Sequence, residues 1–281
     1  MSLMEDLSAW AAPDMPWPEA ARARRAATVT LVGAGPGDPE LLTIKALRAL
    51  QAASLVLHDH LVSDAVLGLI HPAAERIYVG KQSSRHALSQ KAIIELMLTL
   101  ARSGRSLVRL KGGDGYIFGR GGEEAEALVR AGISFDVIPG LTAAQGAAAS
   151  TGIPLTHRDH ASTLIYTTGH AREGGTPALH WPLLAQPRQT VVIYMGVGAL
   201  PGLCRKLIEA GRAPDTPAAV VERATLPDER CLSGTLATLP ELARSHGVRP
   251  PALIIVGEVV SLRQVLARPP QDVLAASGLT G

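Results

Sequence analysis

Three charged residues of this chain each follow a short apolar run. Asp59 ends the run from Ser54 to His58, Lys81 follows Arg76–Val79 and Gly80, and Asp114 comes shortly after Ser106–Leu110. If those runs are parallel strands, their ends share one edge, and acids and a base gathered there can move protons or orient a substrate. Taken singly, each is an ordinary solvated loop charge; recurrence at three strand ends favours chemistry. Asp114 also lies in the densest stretch of unusual choices, LVRLKGGDGYIFGRGGEEAEAL over 107–128, an apolar strand running into a glycine-rich loop and then a helix. Glycine lets backbone approach a ligand closely or take positive φ. Cations recur in loops rich in glycine or proline: Lys111, Arg120, His157 and Arg158, with Lys81 and Arg85 nearby in the pattern. A guanidinium grips a carboxylate through two parallel hydrogen bonds, so a polyanionic ligand suits them. The competing reading of Arg120 is an ion pair with Glu123 or Glu124 on the first turn of the next helix.

Other motifs admit two readings. GAGPGD, 33–38, follows a strand, and Asp59 comes about twenty residues on, as in a dinucleotide fingerprint. Asp38, however, takes the third glycine position, and Pro36 removes an amide donor where a pyrophosphate needs one; a plain tight turn is the alternative. His58 with His60, and His157 with His160, have spacings that suit a metal, but no histidine–carboxylate helix motif or CxxC accompanies them. Packed or surface imidazoles are the simpler reading, and no metal is expected. Met195, in YMG at a strand end, is either core or a sulfur contact to a flat ligand.

The elements that would position these groups alternate. Thr28–Val32 is a β-branched run, and a helix follows with Asp38 as its N-cap, Pro39 in its first turn, and Leu41, Ile44, Leu47 and Leu50 at helical spacing. Strands at 54–58, 76–79, 106–110 and 134–138 are separated by helices near 64–70, 89–102 and 123–131. A Gly/Ala-rich helix and a polar loop occupy 139–160. Strands at 163–167, 190–194, 218–222 and 252–256 and helices near 200–210 and 239–245 complete the pattern; 171–188 reads as an exposed linker. Alternating β and α with short connections predicts an α/β fold of two domains with mostly parallel sheets and a ligand cleft between them. The expected division is a loose extension over 1–26, an N-terminal α/β domain over 27–140, a C-terminal one over 141–268, and a tail over 269–281.

Composition narrows the classes. The 281 residues carry a net charge of +2, which gives no field to attract nucleic acid or a membrane surface. No apolar run is long enough to span a membrane. The two cysteines, Cys204 and Cys231, form no CxxC pair and read as reduced thiols of a cytoplasmic protein.

VGAGPGDPELLT, the HD of LVLHDHLVS, VGK, RLKGGDGYIFGRGGEE, VIPGLTAA, GIPLTHRD, TTGH and YMG occur in the order found in the uroporphyrinogen-III C-methyltransferase family of the tetrapyrrole methylases. The resemblance covers about residues 28–262. It implies two α/β domains, a homodimer, and methyl transfer from S-adenosylmethionine to carbons 2 and 7 of uroporphyrinogen III, giving precorrin-2. Pro36, Gly112, Gly113, Asp114, Ile117, Thr142, Ala143 and Met195 match positions lining the donor site, with Ala224 in place of a glycine. Asp59 and Lys81 match the proton acceptor and donor, and Arg120, Glu123 and Arg158 match residues that handle the tetrapyrrole. The eight carboxylates of that substrate suit the cations noted above. The loop departs from the family's GGDPF at Gly115, where proline is usual. A later precorrin methylase, a nicotinamide-dependent oxidoreductase argued from GAGPG and Asp59, and a regulatory protein without catalysis are the alternatives. Relatives fused to a dehydrogenase and ferrochelatase module exist; a chain of this length is expected to stop at precorrin-2.

Overall fold

A computed structural model describes residues 29–80, 89–170 and 178–267. Lys81, Arg85, the extension over 1–26, the tail over 269–281 and the first part of the expected linker lie outside the described residues.

The first sheet contains β1 (Val29–Gly33), β2 (Leu55–His58), β3 (Glu75–Tyr78), β4 (Leu107–Lys111) and β5 (Phe135–Ile138), in the order β3-β2-β4-β1-β5. Every pairing in it is parallel. Between the strands run α1 (Ile44–Gln51), α2 (Asp64–Leu67), α3 (Gln90–Arg102) and α4 (Gly121–Arg130). Side-chain alternation divides the strands between two cores. Leu31, Leu55, Leu57 and Leu107 pack with Ile93 and Met97 of α3 and Ala125 and Leu128 of α4. Val32, Val56, Val108 and Leu110 pack on the other face with Ala46 and Leu50 of α1. The helix expected to start at Asp38 is divided. Asp38 caps only a short 3-10 turn, Pro39–Leu41. The α-helix begins afresh at Thr43, whose hydroxyl accepts the Ala46 amide at 3.1 Å. The second cap wins because it starts a helix that buries Ala46 and Leu50, whereas the first turn buries nothing.

The chain crosses to the second sheet through α5 (Ala143–Thr151). That sheet contains β6 (Thr163–Thr168), β7 (Gln189–Tyr194), β8 (Pro217–Glu222), β9 (Arg230–Thr235) and β10 (Ala252–Val256), in the order β6-β7-β10-β8-β9. The expectation of parallel pairing holds here only for β6 with β7; β7–β10, β10–β8 and β8–β9 are antiparallel. The cause is β9, which the sequence reading missed. It folds back on β8 as a hairpin, and its mostly polar, partly exposed pattern RCLSGT gives little apolar signal. The remaining helices are α6 (Trp181–Leu184), α7 (Leu200–Glu209), α8 (Leu239–Ser245) and α9 (Arg263–Leu266). The described part of 171–188 is no linker: Leu184 is buried, and Trp181 packs against the core formed by β7, β8, β10, α7 and α8. The opposite face of the sheet packs on Ala144 and Ala147 of α5.

Candidate functional site

The strands of the first sheet end level with one another, Gly33 opposite Lys111, Val32 opposite Ile138, and His58 opposite Leu110 and Tyr78. The segments that leave them therefore share one edge, the edge at which open α/β sheets hold ligands. Three glycines let three of these segments touch backbone to backbone. A Cβ on Gly33 would lie 2.4 Å from the Gly140 nitrogen and 2.8 Å from the Gly113 oxygen, and one on Gly140 would lie 2.4 Å from that same oxygen. Gly35 and Gly113 then exchange two amide–carbonyl bonds, at 2.7 and 3.1 Å.

Asp114 fastens this arrangement. Its Oδ2 accepts the Gly140 amide at 3.0 Å and its Oδ1 accepts the Tyr116 amide at 2.8 Å. The Asp114 carbonyl also accepts the Ile117 amide at 3.3 Å, closing a β-turn with Gly115 at its second position. The turn leaves Tyr116, Ile117 and Phe118 exposed.

The second half meets this edge at three places. Phe118 lies against the ring of Tyr194, with centroids 4.8 Å apart. The Tyr194 hydroxyl is 2.6 Å from that of Thr142 and accepts the Ala144 amide, so the end of β7 is tied to the start of α5. Burial pushes the Tyr194 phenol above its ordinary pKa. Gly146 of α5 lies so close to Pro36 that a Cβ there would be 2.6 Å from the proline ring and 3.0 Å from the Thr225 methyl. Thr225 Oγ1 accepts the Asp38 amide at 3.2 Å. Ala224 therefore sits in the β8–β9 loop that rests on the GAGPGD turn. Met195, next to Tyr194, is 54% exposed, a long way from the core reading. Five non-glycine residues around these loops hold positive φ: Phe118, Arg120, Met195, Arg223 and Thr225. Such conformations cost about 1–3 kcal/mol each and persist only where surroundings enforce them.

Beneath the edge is a buried ionic network. Arg109 and Lys111 are two apart on β4, so both point to the α3–α4 face, and Asp59 follows Leu57 on the same side of β2. Glu124 of α4, fully buried, accepts Lys111 Nζ at 2.9 Å, Gln90 Nε2 at 3.0 Å and Arg109 Nε at 3.3 Å, all on Oε1. Arg109 Nη2 reaches Asp59 Oδ2 at 3.4 Å, and Asp59 Oδ1 accepts the Leu61 amide at 3.1 Å. Burial, with Arg109 beside it, holds the Lys111 ammonium below the ordinary lysine pKa, against the pull of Glu124.

Among the sequence candidates, Asp59, Pro36, Gly112, Gly113, Asp114 and Ile117 gather on this edge, with Thr142, Ala143, Met195 and Ala224 meeting it from the second half. Arg120 forms the bidentate pair with Glu123, at 2.7 and 2.9 Å and both half exposed, which was the competing reading of its charge. Arg158 is exposed at the β6 side, its carbonyl accepting from Arg188. The rings of His157 and His160 lie 4.8 Å apart, tilted by 48°. Three groups went unread in the sequence as site members, Glu124, Arg109 and Tyr194. The signal for the first was available: two cations at alternate positions of a buried strand require buried counter-charge.

Fold and edge define a two-sheet α/β protein whose halves meet over the strand ends of a parallel sheet. The chain belongs to the tetrapyrrole (corrin/porphyrin) methylases, whose family model matches residues 28–240. A uroporphyrin-III C-methyltransferase from Thermus thermophilus, solved with S-adenosyl homocysteine, is 44% identical with a TM-score of 0.71, over 83% of this chain and 99% of that one. A cobalt precorrin-4 methyltransferase is 31% identical with a TM-score of 0.73, over 83% of this chain and 96% of that one. The siroheme synthase of Gluconacetobacter diazotrophicus is 55% identical over 249 residues, 89% of this chain and 53% of that protein. The chain thus spans about half the length of the curated relatives it matches.

Proposed function

We propose that this chain methylates uroporphyrinogen III at carbons 2 and 7 with S-adenosylmethionine as donor, yielding precorrin-2 and S-adenosylhomocysteine. The observation that carries the reading is the 44% identity to the Thermus enzyme over nearly all of that chain, obtained with the donor's product bound. The 31% identical precorrin-4 enzyme has an equally similar fold, so likeness of fold does not separate the two activities; GIPLTHRD beside FGRGGEE favours the first.

The division proposed is an N-terminal unit to about residue 140 and a C-terminal unit from 141, with the ligands held where they meet. The donor supplies an activated methyl on a cationic sulfur. Its site would be formed by Pro36, Gly112, Gly113, Asp114, Ile117, Thr142, Ala143, Met195 and Ala224. The fit rests on apolar side chains, Ile117, Phe118 and Met195, that the fold leaves exposed around Tyr194 rather than in a core. These residues have to align sulfur, methyl and ring carbon and exclude water, which accounts for most of what such a transfer needs. Arg120, Glu123 and Arg158 would engage the acidic periphery of the macrocycle; opening of the Arg120–Glu123 pair frees the guanidinium for a substrate carboxylate. The methylated pyrrole carbon carries no hydrogen and becomes quaternary, so the cationic macrocycle has to lose a proton from another of its atoms, and Asp59, held on one side by Arg109 and on the other by the Leu61 amide, is the proposed acceptor. Lys81 is retained as proton donor on the resemblance alone. A homodimer in the cytoplasm is proposed on the same ground; no helix among the described residues is long and apolar enough to cross a membrane.

Incubation with uroporphyrinogen III and methyl-labelled donor should place two labels on each macrocycle. No label, with S-adenosylhomocysteine failing to bind, would overturn the reading. Binding of NAD instead would return the oxidoreductase alternative.

A further inference from the structure

We propose that Glu124 is a positioning residue for this reaction, orienting the Asp59 carboxylate through Arg109. The inference rests on the assignment of Asp59 as proton acceptor. Neither Glu124 nor Arg109 needs to touch a ligand: they are 0% and 2% exposed, beneath the edge, whereas the Asp59 side chain is 20% exposed at it.

The geometry gives the link. A guanidinium is planar, so fixing two of its edges fixes the third. Arg109 Nε is held by Glu124 and Nη1 by the Leu110 carbonyl at 2.8 Å, which leaves Nη2 aimed at Asp59 Oδ2. Glu124 is held in turn by Lys111 and by Gln90 of α3. Its Oε2 is buried without a partner among the described residues, so Oε1 alone carries three donors. A buried carboxylate with one oxygen idle is a poor device for stability, since an apolar packing of equal volume serves a fold at least as well. It is a good device for holding a guanidinium at a set angle. The same helix carries Glu123 one residue earlier and has Arg120 at its N-cap position, so α4 links the residues proposed for the macrocycle to the group proposed for its proton.

The test is a double-mutant cycle read by single-turnover methyl transfer at saturating donor and substrate. Glu124→Gln should lower the rate about tenfold while S-adenosylhomocysteine binds within about twofold of the unaltered protein. In an Asp59→Asn background the same change should cost nothing further, because its route of action is gone. Arg109→Lys, which keeps a buried cation but lacks the fork, should behave likewise and serves if Glu124→Gln fails to fold. Exchange of the Leu61 amide, which Asp59 Oδ1 holds, should quicken in both variants while the β2 amides stay protected, and this readout stands even if Asp59→Asn leaves no measurable rate. Equal losses in both backgrounds, or no loss in either, would overturn the proposal. Full turnover by Asp59→Asn would instead remove Asp59 as the proton acceptor, a separate failure.

Discussion

Asp114→Asn isolates the part that this carboxylate has in shaping the loop. Both oxygens accept main-chain amides, from Gly140 and from Tyr116, and these two bonds hold the loop after β4 against the segment after β5. Asparagine keeps one acceptor and turns an NH2 group toward the other amide, so one charge-assisted bond is lost and two donors face each other. Hydrogen bonds to a charged group contribute about 1.5–3 kcal/mol. Partial exposure places this one toward the lower end, about 2 kcal/mol. Local opening should then be roughly 30-fold more frequent at the two affected amides. Hydrogen exchange followed in peptides spanning 112–122 and 138–144, with no ligand present, reads this directly; strands of the second sheet serve as the internal control. S-adenosylhomocysteine should bind about tenfold more weakly, because binding now includes ordering the loop. Unchanged exchange together with lost affinity would refute the reasoning, and would mean that the carboxylate acts on the ligand directly and the clamp contributes nothing.

Further substitutions separate space from backbone conformation at this edge. Gly33→Ala places a methyl within 2.4 Å of main chain on β5's exit and should cost about 3 kcal/mol or more in urea unfolding, with donor binding lost, whereas Gly113→Ala meets nothing closer than 3.7 Å and should cost only the left-handed penalty of about 1–2 kcal/mol. Equal stability losses in the two would contradict the backbone contact. Gly115→Pro should tighten donor binding, since proline suits the second position of the Asp114–Ile117 turn, the Gly115 φ lies outside the left-handed region, and its carbonyl, which accepts the Gly121 amide at 2.9 Å, is retained; calorimetric titration showing no gain would discard the idea. Burial pushes the Cys204 thiol up to about 12. The folded state therefore keeps a proton that the unfolded chain releases above its ordinary value near 9, so stability is intact below that pH and falls as pH climbs toward the folded value. Cys204→Val should lessen the alkaline slope in denaturation curves, leaving the share due to the raised Tyr194 phenol and Cys231 thiol, and an unaltered slope would assign it elsewhere.

Much of the first half was legible in its residues. Alternating apolar runs and short connections fix a parallel sheet, and a parallel sheet alone brings Asp59 and Asp114 to one edge. The second half was legible as strands but not in their directions, because β9 carries too few apolar residues to announce a hairpin and a single hairpin reverses the pairing around it. At the site, the glycines were evident, but their reason was not: Gly33, Gly113 and Gly140 are far apart in sequence and have meaning only as a triple contact. Arg120 could be read toward a substrate or toward Glu123, and side-chain geometry, not spacing, gives the pair. The buried network escaped because each of its members looks like a common surface charge until strand alternation is followed through Arg109 and Lys111 to a helix that arrives later in the chain.

The fastening of the glycine loop has a consequence for how this protein can diversify. Its anchors are main-chain bonds, three glycines and one carboxylate, and none involves the side chains of Tyr116 or Ile117, which face outward from the turn. Those two positions can change identity without disturbing the frame that displays them, whereas Phe118, at positive φ and in tilted ring contact with Tyr194, is pinned from both directions. A sequence library confined to 116 and 117 thus varies the exposed face of the loop, at 117 within the proposed donor site, on a platform whose fold it leaves intact.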